Sequence, residues 1–185
     1  MRWQVGWQGL VLAIAVFVGG LFLGSRLQPS DPIHSSAAER LQPAATVATV
    51  LTPGATVYVP VYSSLYLGLN VKQRMVELSA TVSVRNVSQA HPIVLEWARY
   101  YDSAGKLIRN YVDKPAALPP LSSVEFVVQR ADVAGGPGAN FLIRWKGPSG
   151  VDAPLIEAVM LGQSGNAGIS FTSPGRVVKS EGGDQ

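Results

Sequence analysis

The chain has no cysteine among its 185 residues. That excludes a disulfide framework, a thiolate nucleophile, a cysteine-based metal site and a lipidated N-terminal cysteine, so packing and hydrogen bonding must hold the fold. Histidine is almost as scarce, with only His34 and His91. Metal histidines come with partners, and neither of these has one beside it, so no metal and no cofactor is expected. No G-x-S-x-G elbow is present to give a histidine base its nucleophile. Charge is thin as well: 15 Lys and Arg residues and 12 Asp and Glu residues are interspersed along the chain and leave a net charge of +3. Without a basic cluster to face a phosphate backbone, a nucleic-acid surface is excluded.

What the chain does have begins with one long apolar run. Residues 9–24 read GLVLAIAVFVGGLFLG, and counted from Val5 the uncharged stretch is 20 residues, about 30 Å as a helix, which matches a bilayer core. A cleavable signal peptide has a shorter apolar region followed closely by small residues. Here Phe22 and Leu23 stand where small residues would be needed, and Ser35-Ser36-Ala37 lies too far downstream, beyond Pro29 and Pro32. Residues 1–25 therefore read as an uncleaved signal anchor, with a removed signal peptide as the alternative. Trp3 and Trp7 suit the aromatic belt of such a transmembrane helix, and a short leader before a large domain places the N-terminus in the cytoplasm. Gly20 and Gly24 have GxxxG spacing, which any membrane helix tolerates without pairing. Residues 26–54, with prolines 29, 32, 43 and 53 among Ser, Ala, Gln and Thr, read as an extended linker.

From residue 55 to 178 the dominant period is two. Val76, Leu78, Ala80, Val82 and Val84 alternate with polar residues, as in a strand with one buried and one wet face. Residues 92–101 continue as strand, with Ile93, Leu95 and Trp97 assigned to one face and Val94, Ala98 and Tyr100 to the other. Asp102-Ser103-Ala104-Gly105-Lys106 reads as a short hairpin loop. Further strands are expected at 107–112, 123–129, 140–146, 155–161 and 169–172, with no amphipathic helix between them. The pattern predicts an all-β fold: an immunoglobulin-like antiparallel β-sandwich of seven or eight strands, with Trp97 or Trp145 at its centre, preceded by one N-terminal transmembrane helix. Residues 179–185 read as a disordered tail.

Four features are candidates for function. The stretch GGPGANFLIRW (135–145) has glycines enough for a phosphate loop, but it lacks the following lysine and opens a strand rather than a helix, so no nucleotide is expected. Asn86-Val87-Ser88 matches a glycan acceptor pattern that matters only in a host with that machinery. Glu157 interrupts the apolar PLIEAVML segment; a carboxylate in a strand buried on both faces should be ion-paired, with Arg144 the first candidate and Arg99 the second, or else serve as an acid or base. Tyr58, Tyr62 and Tyr66 recur every four residues, which in an extended chain puts them on one side as a surface for a partner or ligand.

The segments YVPVYSSLYLG (58–68), SATVSVRN (79–86), YYDSAGKLIRNY (100–111), LPPLSSVEFVV (118–128), GGPGANFLIRW, IEAVMLG and GISFTSPG (156–175) resemble the bacterial family known as domain of unknown function 3124. The resemblance implies an envelope protein, secreted or membrane-tethered, and carries no activity and no catalytic residues to transfer. Members that resemble lipoproteins use an N-terminal cysteine, so here the anchor would be the helix itself. The sequence thus predicts a single-pass inner-membrane protein displaying a binding or assembly module in the periplasm, with a possible envelope protein partner. The alternatives are secretion to the periplasm after signal cleavage, an envelope hydrolase using Glu157 and a second carboxylate, and a structural role in an oligomer.

Overall fold

A computed structural model describes residues 40–46, 50–67, 74–130, 132 and 134–180. The apolar run and residues 26–39 of the linker lie outside the described residues, and so do residues 181–185. Among the described residues, no helix is long and apolar enough to cross a membrane.

The fold is all-β and antiparallel. Its strands are β1 (Gln42–Pro43), β2 (Thr52–Pro60), β3 (Ser64–Leu67), β4 (Arg74–Arg85), β5 (Ile93–Tyr101), β6 (Leu107–Val112), β7 (Ala116–Leu118), β8 (Ser123–Val128), β9 (Asn140–Gly147), β10 (Leu155–Ser164), β11 (Ala167–Pro174) and β12 (Arg176–Ser180). A seven-stranded sheet runs β1-β7-β5-β9-β2-β12, with β6 also paired to β5; a five-stranded sheet runs β11-β10-β4-β3, with β8 also paired to β4. The strand count exceeds the seven or eight expected because β1, β3 and β7 are too short to carry a period, and β12 follows β11 with Gly175 alone between them.

Alternation builds the interior. In β9 the pattern of buried and half-buried residues is strict, so Phe141, Ile143 and Trp145 point inward and Leu142, Arg144 and Lys146 outward. Leu78, Val82 and Met160 from the five-stranded sheet join Val59, Leu95 and Phe141 from the seven-stranded one in a single apolar core. Each of these fully buried side chains contributes roughly 1.5–3 kcal/mol of transfer free energy. Aromatic rings tie the sheets together, with Tyr111 of β6 at 5.4 Å from Phe126 of β8 and 5.1 Å from Phe141 of β9.

Trp145 is in the core, but Trp97 is not, and neither does it share a face with Ile93 and Leu95. A β-bulge between Leu95 and Trp97 inserts one residue and flips the alternation. Ile93, Leu95, Ala98 and Tyr100 then all face inward, while Trp97 turns outward beneath the guanidinium of Arg99 at 4.6 Å. The hairpin after β5 forms as its sequence predicts: Asp102 Oδ1 accepts from the amides of Ala104 at 2.9 Å and Lys106 at 2.8 Å, and Gly105 takes φ +78°.

The strands also extend beyond the composition boundaries. Gln42 and Pro43 pair with Ala117 and Ala116, Leu41 packs against the core, and Arg40 is ion-paired with Glu125. At the other end Lys179 and Ser180 pair with Thr56 and Ala55.

Candidate functional site

The three tyrosines do not form one row. The chain changes sheets between β2 and β3, where the Val61 amide donates to Ala139 O at 2.9 Å and the Ser63 amide to Gly136 O at 3.2 Å. Tyr58 consequently lies on the outer face of the seven-stranded sheet, opposite Leu142 and Arg176. Tyr62 packs edge-on against Phe171 at 5.7 Å. Tyr66 is exposed on the outer face of the five-stranded sheet, opposite Met75. Four-residue spacing keeps side chains together only while the strand continues, and this strand stops at Pro60.

Glu157 and Arg144 do not pair either. Ile156 and Ala158 point into the core, so Glu157 between them faces out of the five-stranded sheet, and Arg85 approaches it to 4.0 Å. Arg144 faces out of the other sheet. The strand β10 is not buried on both faces as its apolar composition suggested, since Leu155 and Leu161 are also exposed. Glu125 and Glu157 both sit opposite Ser83, one on each neighbouring strand, and each has its own arginine, Arg40 and Arg85.

The most organised polar cluster surrounds Arg144. Its Nε donates to Glu96 Oε2 at 2.8 Å and its Nη1 to Thr56 Oγ1 at 3.1 Å, with the side chain only 13% exposed. Lys146 Nζ lies 2.9 Å from Glu96 Oε1, so one carboxylate is shared by two cations. Charge-assisted bonds of this kind are roughly twice as strong as neutral ones. The register extends the cluster into a face: Arg144 stands between Thr56 and Trp97, Leu142 between Tyr58 and Arg99, and Tyr58 beside Arg176. Across β2, β5, β9 and β12 the described outward side chains include the cations Arg99, Arg144, Lys146, Arg176 and Lys179, and Glu96 as carboxylate. Tyr58, Trp97 and Tyr101 supply flat aromatic area between them. Sequence reasoning singled out Arg144, Arg99 and Tyr58 but missed Glu96, Lys146 and the outward turn of Trp97. The alternation of Leu142, Arg144 and Lys146 signalled half of the face, whereas the bulge in β5 concealed the other half.

The glycine-rich turn is a junction tied to its neighbours through its backbone. Gly135 O accepts from the Ser103 amide at 3.0 Å and hydroxyl at 2.9 Å, and the Gly138 amide donates to Ser103 Oγ at 2.8 Å. Gly136 O accepts from Ser63 Oγ at 2.9 Å, and Asp132 Oδ1 accepts from the Ala134 amide at 3.3 Å. Gly135 is required by close approach, since a Cβ there would lie 1.9 Å from the Tyr100 hydroxyl. Tyr100 itself is fully buried, and its hydroxyl has no hydrogen-bond partner among the described residues.

Asn86, the residue of the glycan pattern, is a buried staple. Its Nδ2 lies 2.9 Å from His91 O, 3.1 Å from Leu118 O and 3.0 Å from Pro119 O, while Oδ1 accepts from the Ser88 amide at 3.0 Å. No group of three or more His, Asp or Glu residues poised for a metal occurs among the described residues.

A family model described as "Protein of unknown function (DUF3124)" matches residues 54–178. No curated protein matches. Among solved structures, one described as "Crystal Structure of Thermotoga maritima 1070" is similar at 8% sequence identity and a TM-score of 0.40, covering 70% of this chain and 99% of that one.

Proposed function

This chain belongs to the DUF3124 family, and we propose that it is a binding or assembly module of the bacterial envelope, an immunoglobulin-like β-sandwich tethered in the periplasm by an N-terminal inner-membrane helix. Two antiparallel sheets sharing one core support the sandwich reading, and the 20-residue apolar run supports the tether. The single observation that carries the binding reading is the outer face of the seven-stranded sheet. Five cations, one carboxylate and three aromatics on rigid strands suit an acidic, extended partner surface: the guanidiniums would grip carboxylates and the rings would supply contact area.

The experiment is a pull-down from membranes with the anchor intact, comparing wild type with the double substitution R99A/R176A. A partner that is captured by wild type, lost from the variant and released by raising salt fits the proposal. Capture that is indifferent to both sinks it. Fractionation and N-terminal sequencing test the location: a domain in the cytoplasm overturns the envelope reading, and a mature chain starting past residue 25 replaces the anchor with secretion to the periplasm. The hydrolase reading would use Glu157 with Glu125 across Ser83; their separate arginine partners and open sheet surface favour binding over catalysis.

A further inference from the structure

Leu121 is the only non-glycine with positive φ among the described residues, at 55°, a conformation that crowds any side chain with a Cβ. It is also 69% exposed, so core packing does not explain a leucine at this position. The turn that carries it is held rigid: the Leu121 amide donates to Ser88 O at 3.1 Å, the Ser122 amide to Pro119 O at 3.2 Å, and the Asn86 amide to Ser122 O at 2.9 Å. Two more apolar side chains flank this platform. Val87, 42% exposed, sits in the loop that holds the turn, and Leu155, 49% exposed, opens β10 opposite Arg85, whose other neighbour is Ser123. Three exposed apolar groups thus surround the tip of one end of the domain, with the cationic Arg85 among them.

The chain arrives at this same end. Gln42 pairs with Ala117 and Pro43 with Ala116 in antiparallel register, so going back toward the N-terminus leads along Leu118 and Pro119 to the platform. Between the apolar run that ends at Gly24 and Arg40 lie 15 residues; a chain of that length reaches at most about 50 Å. On the tether reading, a segment of that reach joined at this end keeps the apolar tip within range of the membrane.

We propose that Leu121, Val87 and Leu155 form a foot that seats the domain in the lipid interface of the membrane to which the N-terminal run anchors it. The inference rests on the tether reading above. The foot sets the orientation of the domain: the hairpin turn at Ala104 lies at the other end of β5, roughly 30 Å away, and points into the aqueous space, while the cationic face stands across the membrane plane, open to partners from the side.

The absence of cysteine makes the test clean. Full-length L121C, V87C and A104C proteins are each labelled with a polarity-sensitive fluorophore and reconstituted into vesicles of phosphatidylethanolamine and phosphatidylglycerol, with and without brominated acyl chains. The expected result is a blue shift and at least a twofold loss of fluorescence to bromine at residues 121 and 87, with residue 104 unchanged. If the protein co-floats with vesicles but residues 121 and 87 behave like residue 104, the foot is wrong and the tether stands. If the protein does not co-float, the tether fails and the foot with it. A blue shift at residue 121 without bromine quenching reveals a protein occupant, such as a second copy, and overturns lipid contact.

Discussion

Replacing Tyr100 by Phe offers a quantitative check on the interior. The Tyr100 ring is fully buried and stacks on Phe141 at 5.0 Å, so the substitution keeps the packing and removes only a hydroxyl that has no hydrogen-bond partner among the described residues. Burial pushes its phenol well above the ordinary value of 10.0; the nearby Asp132 carboxylate adds to the rise, with Tyr111 and Asp102 behind it, and Arg109 opposes them. In the unfolded chain the same phenol ionises near 10, so above that pH the unfolded state holds fewer protons than the folded one. The contribution of Tyr100 is therefore fully present below pH 10 and is lost as pH climbs toward the folded value. The slope approaches 1.4 kcal/mol per pH unit, or about 1.5 kcal/mol between pH 10 and roughly 11.5. At pH 8, Y100F is expected to equal wild type or exceed it by up to about 1 kcal/mol, because an unsatisfied buried hydroxyl costs about that much. Urea unfolding followed by tryptophan fluorescence at both pH values measures the gap. Relative to pH 8, the variant should gain about 2 kcal/mol on wild type at the higher pH, and an unchanged gap would refute the account of a shielded phenol.

Three further substitutions probe other parts of the fold. G54A places a methyl group 1.8 Å from the carbonyl oxygen of Trp145, a backbone clash that cannot relax by rotating a side chain; thermal unfolding should report a loss of about 3 kcal/mol or a failure to fold. N86A leaves three carbonyls and one amide of the loop without their side-chain partner, and chemical denaturation should show a loss on the order of 3 kcal/mol. L121G relieves a positive φ without emptying the core, so the same measurement should show stability unchanged or raised by about 1 kcal/mol. A clear loss of stability in that variant would mean that Leu121 serves packing rather than an outside contact.

Much of the fold was legible from period two. The boundaries of β5, β6, β8 and β9 fall within a residue or so of the pattern, because each of these strands buries one face and shows the other to water. The misreadings share a cause: one residue more or less changes which face a side chain occupies, and sequence pattern does not register such a change. The bulge in β5 sent Trp97 outward, and the break after Pro60 sent Tyr58 and Tyr66 to different sheets. The supposed pairing of Glu157 with Arg144 failed for a related reason. Opposite charges in two apolar strands look like natural partners, but both alternate with core residues and so point away from the core, each from its own sheet. Glu96 was the true partner of Arg144, and it was recognisable only once the register of β5 against β9 was known.

The pairing of β2 with β12 also governs how the molecule can be made. Tyr58 meets Arg176 and Ala55 meets Ser180, so the first long strand waits for the last one before its outer edge is covered. β4 likewise waits for β10. Such distant pairings fold slowly, on the order of milliseconds to seconds, and during synthesis neither sheet can be completed while the C-terminal strands are still missing. A nascent chain of this wiring stays incompletely folded until its last strands are made, with strand edges uncovered in the meantime. A chain shortened by its last dozen residues would lose β12 and bare the edge of β2, and aggregation would be its expected fate.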